Sequence, residues 1–351
     1  MKKIIVLDHG IPELMENKIF IPILAKKVSH TILPTCYLYQ EAQKQGIQFV
    51  TPDIFLDLKE KPKNPLLITH LKTPYTEKLI SLGAKPTILT CQESPFIATS
   101  FYLGLKKYSS WFKHSFVFKG MKKRLSKKTI YHQMFFPQPY NDGDLKFADF
   151  NKKNFLIMIA SAKNLTNWKK HLKTIALKLF YKHNIKELYS ERIKAIEFFS
   201  HKSYFDLYGF YWDNFGKNKE NFNFIQKCYR GKIEDKIEIL RNYKFALCFE
   251  NAVMEGYITE KIFDALMAGC VPIYYGAPDI KNYLPENIFI DFRDFKNFPE
   301  LEDYLFSIDE KKYNEYLENI KKFFLSDSYK PFSQEHFSQE ILEILNKEFS
   351  L

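Results

Sequence analysis

Residues 244–276, KFALCFENAVMEGYITEKIFDALMAGCVPIYYG, limit the fold of this chain more than any other stretch. Phe245 to Phe249 is an apolar run of strand length that stops at Glu250-Asn251. A polar loop containing Gly256 follows. Thr259 then stands where a helix N-cap belongs, and Glu260 falls in the first turn, where the helix dipole favours an acid. Ile262, Phe263, Leu266 and Met267 recur at helical spacing, and Gly269 ends the helix. Val271 to Tyr275 reads as the next buried strand. Strand, loop, helix, strand is a βαβ unit, and such units bind ligands at the carboxyl ends of their strands. Here that edge carries Glu250, Asn251, Tyr257, Glu260 and Lys261. Spacing alone leaves two meanings open: a ligand edge, or a helix packed on a sheet with charged ends.

The rest of the chain alternates in the same way. Apolar runs at 3–7, 47–50, 66–69, 87–90 and 115–118 read as strands, and so do 155–160 and 204–208. Helices are expected from Pro12 to about Lys27, from Pro74 to Gly83, and over 165–183, 188–200 and 232–241. Two amphipathic helices are expected near the C-terminus, over 309–325 with Asp309 as N-cap and over 334–348. Residues 137–152, PQPYNDGDLKFADFNK, have the composition of a linker. With about 150 residues per domain as a guide, 351 residues make two domains. The expectation is an α/β protein of two Rossmann-like domains, 1–145 and 152–330, followed by a helical segment, 331–351.

Lys+Arg 52 against Asp+Glu 41 gives +11, a balance that suits an anionic partner. KGMKKRLSKK (119–128) concentrates six of the basic residues. Such a run is either a solvated face or a peripheral contact with an anionic membrane. No recognised nucleic-acid-binding motif accompanies it, so a nucleic acid is not expected as partner. The five cysteines are widely spaced without a CxxC, which argues against a zinc site or a disulfide framework and suits a reducing compartment. The apolar run at the N-terminus is too short for a signal peptide, and no run approaches the ~20 residues of a membrane span. The expected location is cytoplasmic, with peripheral attachment at the inner membrane face through 119–128 as the variant of that expectation.

KFALCFEN followed by GYITEKIFDALMAGCVPIYYGAP resembles the signature of the family 10 glycosyltransferases, the α-1,3/4-fucosyltransferases, in their bacterial form. The shared elements are FEN, Y-x-TEK, a small-residue helix end and VPI-x-x-G. Upstream the likeness takes in SAKN (161–164), the arginine of SERIKAIEFF (190–199), DLYG (206–209) and YRGKIEDKIEIL (229–240). It covers roughly 155–295, with fainter echoes in CQESPF (91–96) and HQMFFPQP (132–139). Residues 1–86 show none.

The resemblance implies a GT-B fold, with two Rossmann-like domains facing a cleft. It also implies GDP-fucose as donor, inversion at the anomeric carbon, and a glycan acceptor fucosylated through an α-1,3 linkage to GlcNAc or a related sugar. No cofactor or essential metal is implied. Arg192 and Lys261 match diphosphate-binding positions, Glu260 the acid that contacts the donor sugar, and Asn251 and Tyr257 nucleotide contacts. Inverting transfer also needs a base for the acceptor hydroxyl, and Glu93 of CQESPF is the choice, ahead of Asp8. Asp8, His9 and His70 all sit at predicted strand ends. Asp142-Gly143-Asp144 has the DxD form of metal-dependent transferases, but it lies in the linker and reads as turn chemistry. The rival reading keeps the fold and changes the donor to another nucleotide sugar.

Overall fold

A computed structural model describes residues 3–140, 143, 145, 147–162, 175, 177, 179, 181, 185–215 and 223–350. Asp142, Asp144, Lys163, Asn164 and most of the helix expected over 165–183 lie outside the described residues. The chain forms two units, Met1–Pro139 with Lys330–Leu351, and Tyr140–Tyr329.

In the first unit, apolar runs make six strands: β1 (Lys3–Asp8), β2 (Ile47–Val50), β3 (Leu66–His70), β4 (Lys85–Thr90), β5 (His114–Val117) and β6 (Ile130–Gln133). All pair in parallel, in the order β2-β1-β3-β4-β5-β6. Central strands such as Ile4–Leu7 and Leu66–Ile68 are apolar on both faces because helices cover both faces of a parallel sheet. The order reverses at β1, which lies between β2 and β3.

One local expectation fails here because of partners distant in the chain. The helix expected from Pro12 to Lys27 is broken, and only Pro22–Val28 is α-helical. Glu16 and Asn17 are left-handed, each with φ 60°. Asp53 and Thr51 hold them there: Glu16 N–H donates to Asp53 Oδ2 (2.7 Å), and Asn17 Oδ1 accepts from Thr51 N–H (2.8 Å). The Leu33–Lys44 helix, with Pro34 in its first turn, lies in a stretch left unassigned from sequence. The basic run begins as a 3-10 helix, Lys119–Arg124, with Met121 buried and Lys122, Lys123, Lys127 and Lys128 exposed.

The C-terminal helix, Gln334–Phe349, is not a separate segment but part of this unit, packed on the Leu33–Lys44 helix. Its buried Glu348 pairs with Lys113 and with Lys85 (3.0 Å), beside His114. Burial pushes the Glu348 carboxyl up, but hydrogen bonds from Lys113 and Lys85 outweigh it, so its pKa lies below the ordinary value. A depressed folded pKa gives stability that is present at neutral pH and lost as pH falls through that value. Glu348→Gln should therefore lower stability by about 1 kcal/mol at pH 7, a figure reduced because both lysines are half exposed. The difference should shrink as pH falls through the acid range, as read from urea midpoints at neutral and acidic pH.

The second unit carries β7 (Asn154–Ile159), β8 (Lys186–Glu187), β9 (Phe205–Tyr208), β10 (Tyr243–Phe249), β11 (Ala252–Val253), β12 (Val271–Tyr275) and β13 (Ile290–Asp291). Five of them form a parallel sheet, β13-β12-β10-β7-β9, and β8 and β11 make a short antiparallel pair. This order also reverses at the unit's first strand, with β7 between β9 and β10. Both units thus repeat one Rossmann-like plan, whose ligand crevice lies where the order reverses.

The helix expected over 232–241 is confined to Lys236–Leu240, because Asp235 caps it through Ile237 N–H and Glu238 N–H. The Glu310–Phe324 helix starts as expected, with Asp309 Oδ1 accepting from Lys312 N–H (2.8 Å). All five cysteines are free and buried. Among the described residues no helix is long and apolar enough to cross a membrane.

Candidate functional site

The carboxyl end of β10 leads directly into Glu250, which is 0% exposed. Its carboxylate takes Thr259 N–H (2.7 Å to Oε1) and the Thr259 hydroxyl. Lys261 Nζ lies 3.1 Å from Glu250 Oε2 and donates to Thr259 Oγ1 (2.9 Å). Thr259 is the N-cap of the Glu260–Met267 helix, as its position suggested, yet its own side chain does not cap. Glu250, nine residues upstream, instead accepts from the N–H of Thr259 itself. The residue before the helix is thus tied to a buried carboxylate, and Lys261 adds a cation to the edge.

Lys261 also pairs with Glu260 (3.3 Å), which lies 3.9 Å from Lys236. Burial disfavours the Lys261 ammonium, but Glu250 and then Glu260 outweigh that effect and hold its pKa above the ordinary lysine value. The group is charged at any physiological pH.

Arg192 arrives from the Tyr189–Phe199 helix and is 5% exposed. Its Nε donates to Phe249 O (3.0 Å), and its Nη2 to the same oxygen and to Asn251 Oδ1 (2.9 Å). Those partners are neutral. Among the described residues no carboxylate lies within ion-pair distance of this guanidinium. Burial lowers its pKa, against opposing pulls from Tyr189, Glu250, Tyr257 and Glu260. A buried charge held by neutral groups is unusual, because desolvation is costly without a counter-ion. The β8–β11 pair fixes this arrangement: Leu188 N–H donates to Asn251 O (3.2 Å), tying the helix start to the loop after β10.

Asn251 Nδ2 lies 3.5 Å from the hydroxyl of Tyr257, which is buried. Gly256 N–H donates to Asp279 Oδ1 (2.8 Å), holding the turn before Tyr257 to the loop after β12. Arg192, Asn251, Tyr257, Glu260 and Lys261, scattered over 70 positions of sequence, are thus one cluster at the carboxyl edge of the second sheet. Glu250 is the residue that sequence undervalued. In sequence it stands at the edge without a role of its own, whereas it is the buried counter-charge around which the cluster is built. The available signal was an acid directly ending the most apolar strand, ahead of a T-x-K triplet.

Glu93 lies in the first unit, on the loop after β4, where its carbonyl accepts from Tyr102 Oη (2.7 Å). Asp8 is fully buried, and its oxygens accept from Thr73 Oγ1 (2.7 and 2.8 Å) and Thr76 Oγ1 (2.7 Å). Burial raises its pKa despite those bonds and Lys72. That bonding pattern makes Asp8 the anchor between β1 and the Thr76–Ser81 helix. His9 and His70 follow β1 and end β3.

The family profile described as "Glycosyltransferase family 10 (fucosyltransferase) C-term" matches residues 183–344. Helicobacter pylori alpha-(1,3)-fucosyltransferase FucT is 47% identical over 74 residues, 21% of this chain and 15% of that one. Xenopus tropicalis GDP-fucose protein O-fucosyltransferase 3 is 46% identical over 83 residues, 23% of this chain and 18% of that one. The chain thus spans less than a fifth of the length of these curated relatives. Among solved structures, an alpha1,3-fucosyltransferase aligns over 98% of this chain and 90% of its own, with TM-score 0.51 and 19% identity. Anabaena HepE in complex with UDP and glucose aligns over 99% and 100%, with TM-score 0.56 and 11% identity. At those identities the likeness concerns fold, and the fold is GT-B. The profile match, the two locally near-half-identical relatives and the GT-B fold converge: residues 183–344 match the C-terminal domain of glycosyltransferase family 10 within a GT-B fold.

Proposed function

We propose that the protein transfers fucose from GDP-fucose to a hydroxyl of a glycan acceptor, with inversion at the anomeric carbon. The observation that carries this reading is Arg192, a buried guanidinium held only by neutral groups, in one cluster with Lys261. Such a cluster suits a diphosphate, whose oxygens a guanidinium can fork and an ammonium can neutralise. The names of the sequence relatives, both fucosyltransferases, support fucose as the transferred sugar.

In the proposed reaction the acceptor oxygen forms a bond to the anomeric carbon as the bond to the diphosphate breaks. GDP leaves with the electron pair, and Glu93 takes the acceptor's proton. Arg192 and Lys261 stabilise the charge that develops on the leaving group. Glu260 offsets positive charge on the sugar or accepts its hydroxyls, and Asn251 and Tyr257 position the nucleotide. Positive side chains supply the leaving-group stabilisation that a divalent ion supplies in other transferases, so the proposal includes no metal. The acceptor is proposed to be GlcNAc or a related sugar of a surface saccharide, joined through an α-1,3 linkage. The exposed lysines of 119–128 would hold the enzyme at the inner membrane face, in the cytoplasm.

Purified protein given GDP-fucose should release GDP slowly alone and faster with a suitable acceptor, and should keep that activity in excess EDTA. Turnover of a different nucleotide sugar, with none of GDP-fucose across an acceptor panel, would replace the donor assignment. Glu93→Gln should keep its GDP affinity and lose transfer by about 10²- to 10⁴-fold, the range for a missing general base. Normal transfer by that variant would remove Glu93 from the mechanism.

A further inference from the structure

Lys236 is a charged residue beside the cluster that the proposed reaction does not use. It opens the Lys236–Leu240 helix, whose start Asp235 fixes by accepting from Ile237 N–H and Glu238 N–H. That short helix packs on the Glu260–Met267 helix. The packing sets the Lys236 ammonium 3.6 Å from Asp264 Oδ2 and 3.9 Å from Glu260 Oε1. Glu260 and Asp264 are one turn apart on their helix, so one ammonium stands against both. Both distances exceed a hydrogen bond, which makes Lys236 a charge held between two carboxylates rather than the donor of a bond to either. Its side chain is 35% exposed, against 16% for Glu260 and 3% for Asp264.

The two carboxylates are held differently. Asp264 is an anchor: it is buried, and its Oδ1 accepts from Tyr140 Oη (2.7 Å). Burial, and then Asp264 itself, push the Tyr140 hydroxyl far above its ordinary pKa, so that bond keeps its donor. A carboxylate fixed in this way keeps its lysine beside it, because parting would leave a buried charge unpaired. Glu260 has a more divided set of neighbours. It pairs with Lys261 (3.3 Å), but Lys261 also serves Glu250 (3.1 Å) and Thr259 Oγ1 (2.9 Å). Arg192 and Tyr140 sense the Glu260 charge from the Tyr189–Phe199 helix and from the start of the unit.

In the proposed reaction Lys261 turns to the diphosphate. A cation shared with phosphate oxygens neutralises Glu260 less, and the phosphate itself repels the carboxylate. Lys236 escapes that competition, since Asp264 holds it one turn further along the helix. We infer that Lys236 is a positioning residue: it keeps the Glu260 carboxylate charged and in place while Lys261 serves the leaving group. The inference rests on the roles proposed for Glu260 and Lys261 toward a sugar-nucleotide donor. What the position requires is a fixed positive charge, which arginine keeps and methionine, of similar length, lacks.

Lys236→Met should lower kcat by about tenfold, the effect of a misplaced catalytic group, and leave GDP affinity within about threefold of wild type. It should also move the acid limb of the kcat profile up by about one pH unit, because a carboxylate that loses a neighbouring cation keeps its proton to higher pH. Lys236→Arg should restore both. In a Glu260→Gln background Lys236→Met should cost nothing further, since Lys236 acts through that carboxylate. Wild-type kcat and acid limb in Lys236→Met overturn the inference. So does a lowered kcat with an unmoved acid limb, or an additive loss in the double variant, either of which marks a structural role. A separate readout needs no turnover. The ¹³C resonance of the Glu260 carboxyl, titrated without substrate, should report a pKa about one unit higher in Lys236→Met than in wild type. Equal values overturn the inference. A higher value in a protein that turns over no nucleotide sugar supports the Lys236–Glu260 pairing and defeats the transfer reading instead.

Discussion

Lys261→Ala is expected to weaken GDP binding by about two orders of magnitude and to destabilise the second unit as well. The two losses have different origins. Affinity falls because a charge-assisted contact to the leaving group is gone. Stability falls because Glu250, 0% exposed, keeps its two bonds from Thr259 but loses the ammonium 3.1 Å away. Removing one partner of a buried ion pair costs about 3–5 kcal/mol, more than the pair contributes when intact. Pairing the change with Glu250→Gln separates the two effects. The double variant Glu250→Gln/Lys261→Met should recover most of the urea midpoint, since Gln still accepts Thr259 N–H and no unpaired charge remains. It should not recover GDP affinity. Calorimetry finding unchanged GDP affinity in Lys261→Ala would sink the diphosphate assignment whatever happened to stability.

The same residues mark what sequence could and could not convey. The strands were legible because each buried parallel strand is a run of apolar residues bounded by polar ones, as in Phe245 to Phe249. The Glu310–Phe324 helix was legible to within a residue because its cap, Asp309, is local. What failed depended on partners far away along the chain. Nothing in residues 12–27 announces that Thr51 and Asp53, 34 and 37 residues on, hold Asn17 and Glu16 left-handed. Nothing in the C-terminal segment announces that Lys85 and Lys113 draw Glu348 into the first unit. The site divided along the same line. Arg192 and Lys261 could be named from the motif, but their environments could not: one charge has neutral partners and the other has two carboxylates. Strand order is likewise a property of pairing, and only pairing revealed that both sheets reverse at their first strand.

The glycine that closes VPI-x-x-G has a reason that spacing does not reveal, and Gly276→Ala should expose it. Gly276 is not in the left-handed region, so alanine meets no backbone penalty there. The obstacle is space. A Cβ at residue 276 would lie 2.4 Å from Tyr274 Oη and 2.5 Å from Glu250 Cγ. Neither neighbour is a free chain end. Tyr274 Oη donates to Tyr257 O (3.3 Å) and accepts from Ala277 N–H (2.9 Å), while the Glu250 carboxylate is held by Thr259 and Lys261. Alanine must therefore displace the tyrosine, the carboxylate or both, at a cost of about 1–3 kcal/mol for overpacking. If Glu250 gives way, Lys261 loses its anchor and GDP affinity falls with stability. A third atom, Tyr274 Cζ, lies 2.7 Å from that Cβ position, and Tyr274→Phe removes only the hydroxyl among the three. In Gly276→Ala/Tyr274→Phe, recovery of both urea midpoint and GDP affinity would place the damage at the Tyr274 hydroxyl, and a recovered midpoint with GDP affinity still low would place it at Glu250. A Gly276→Ala protein with wild-type midpoint and wild-type GDP affinity would show that the contact relaxes freely. The motif glycine would then need another explanation than the carboxylate behind it.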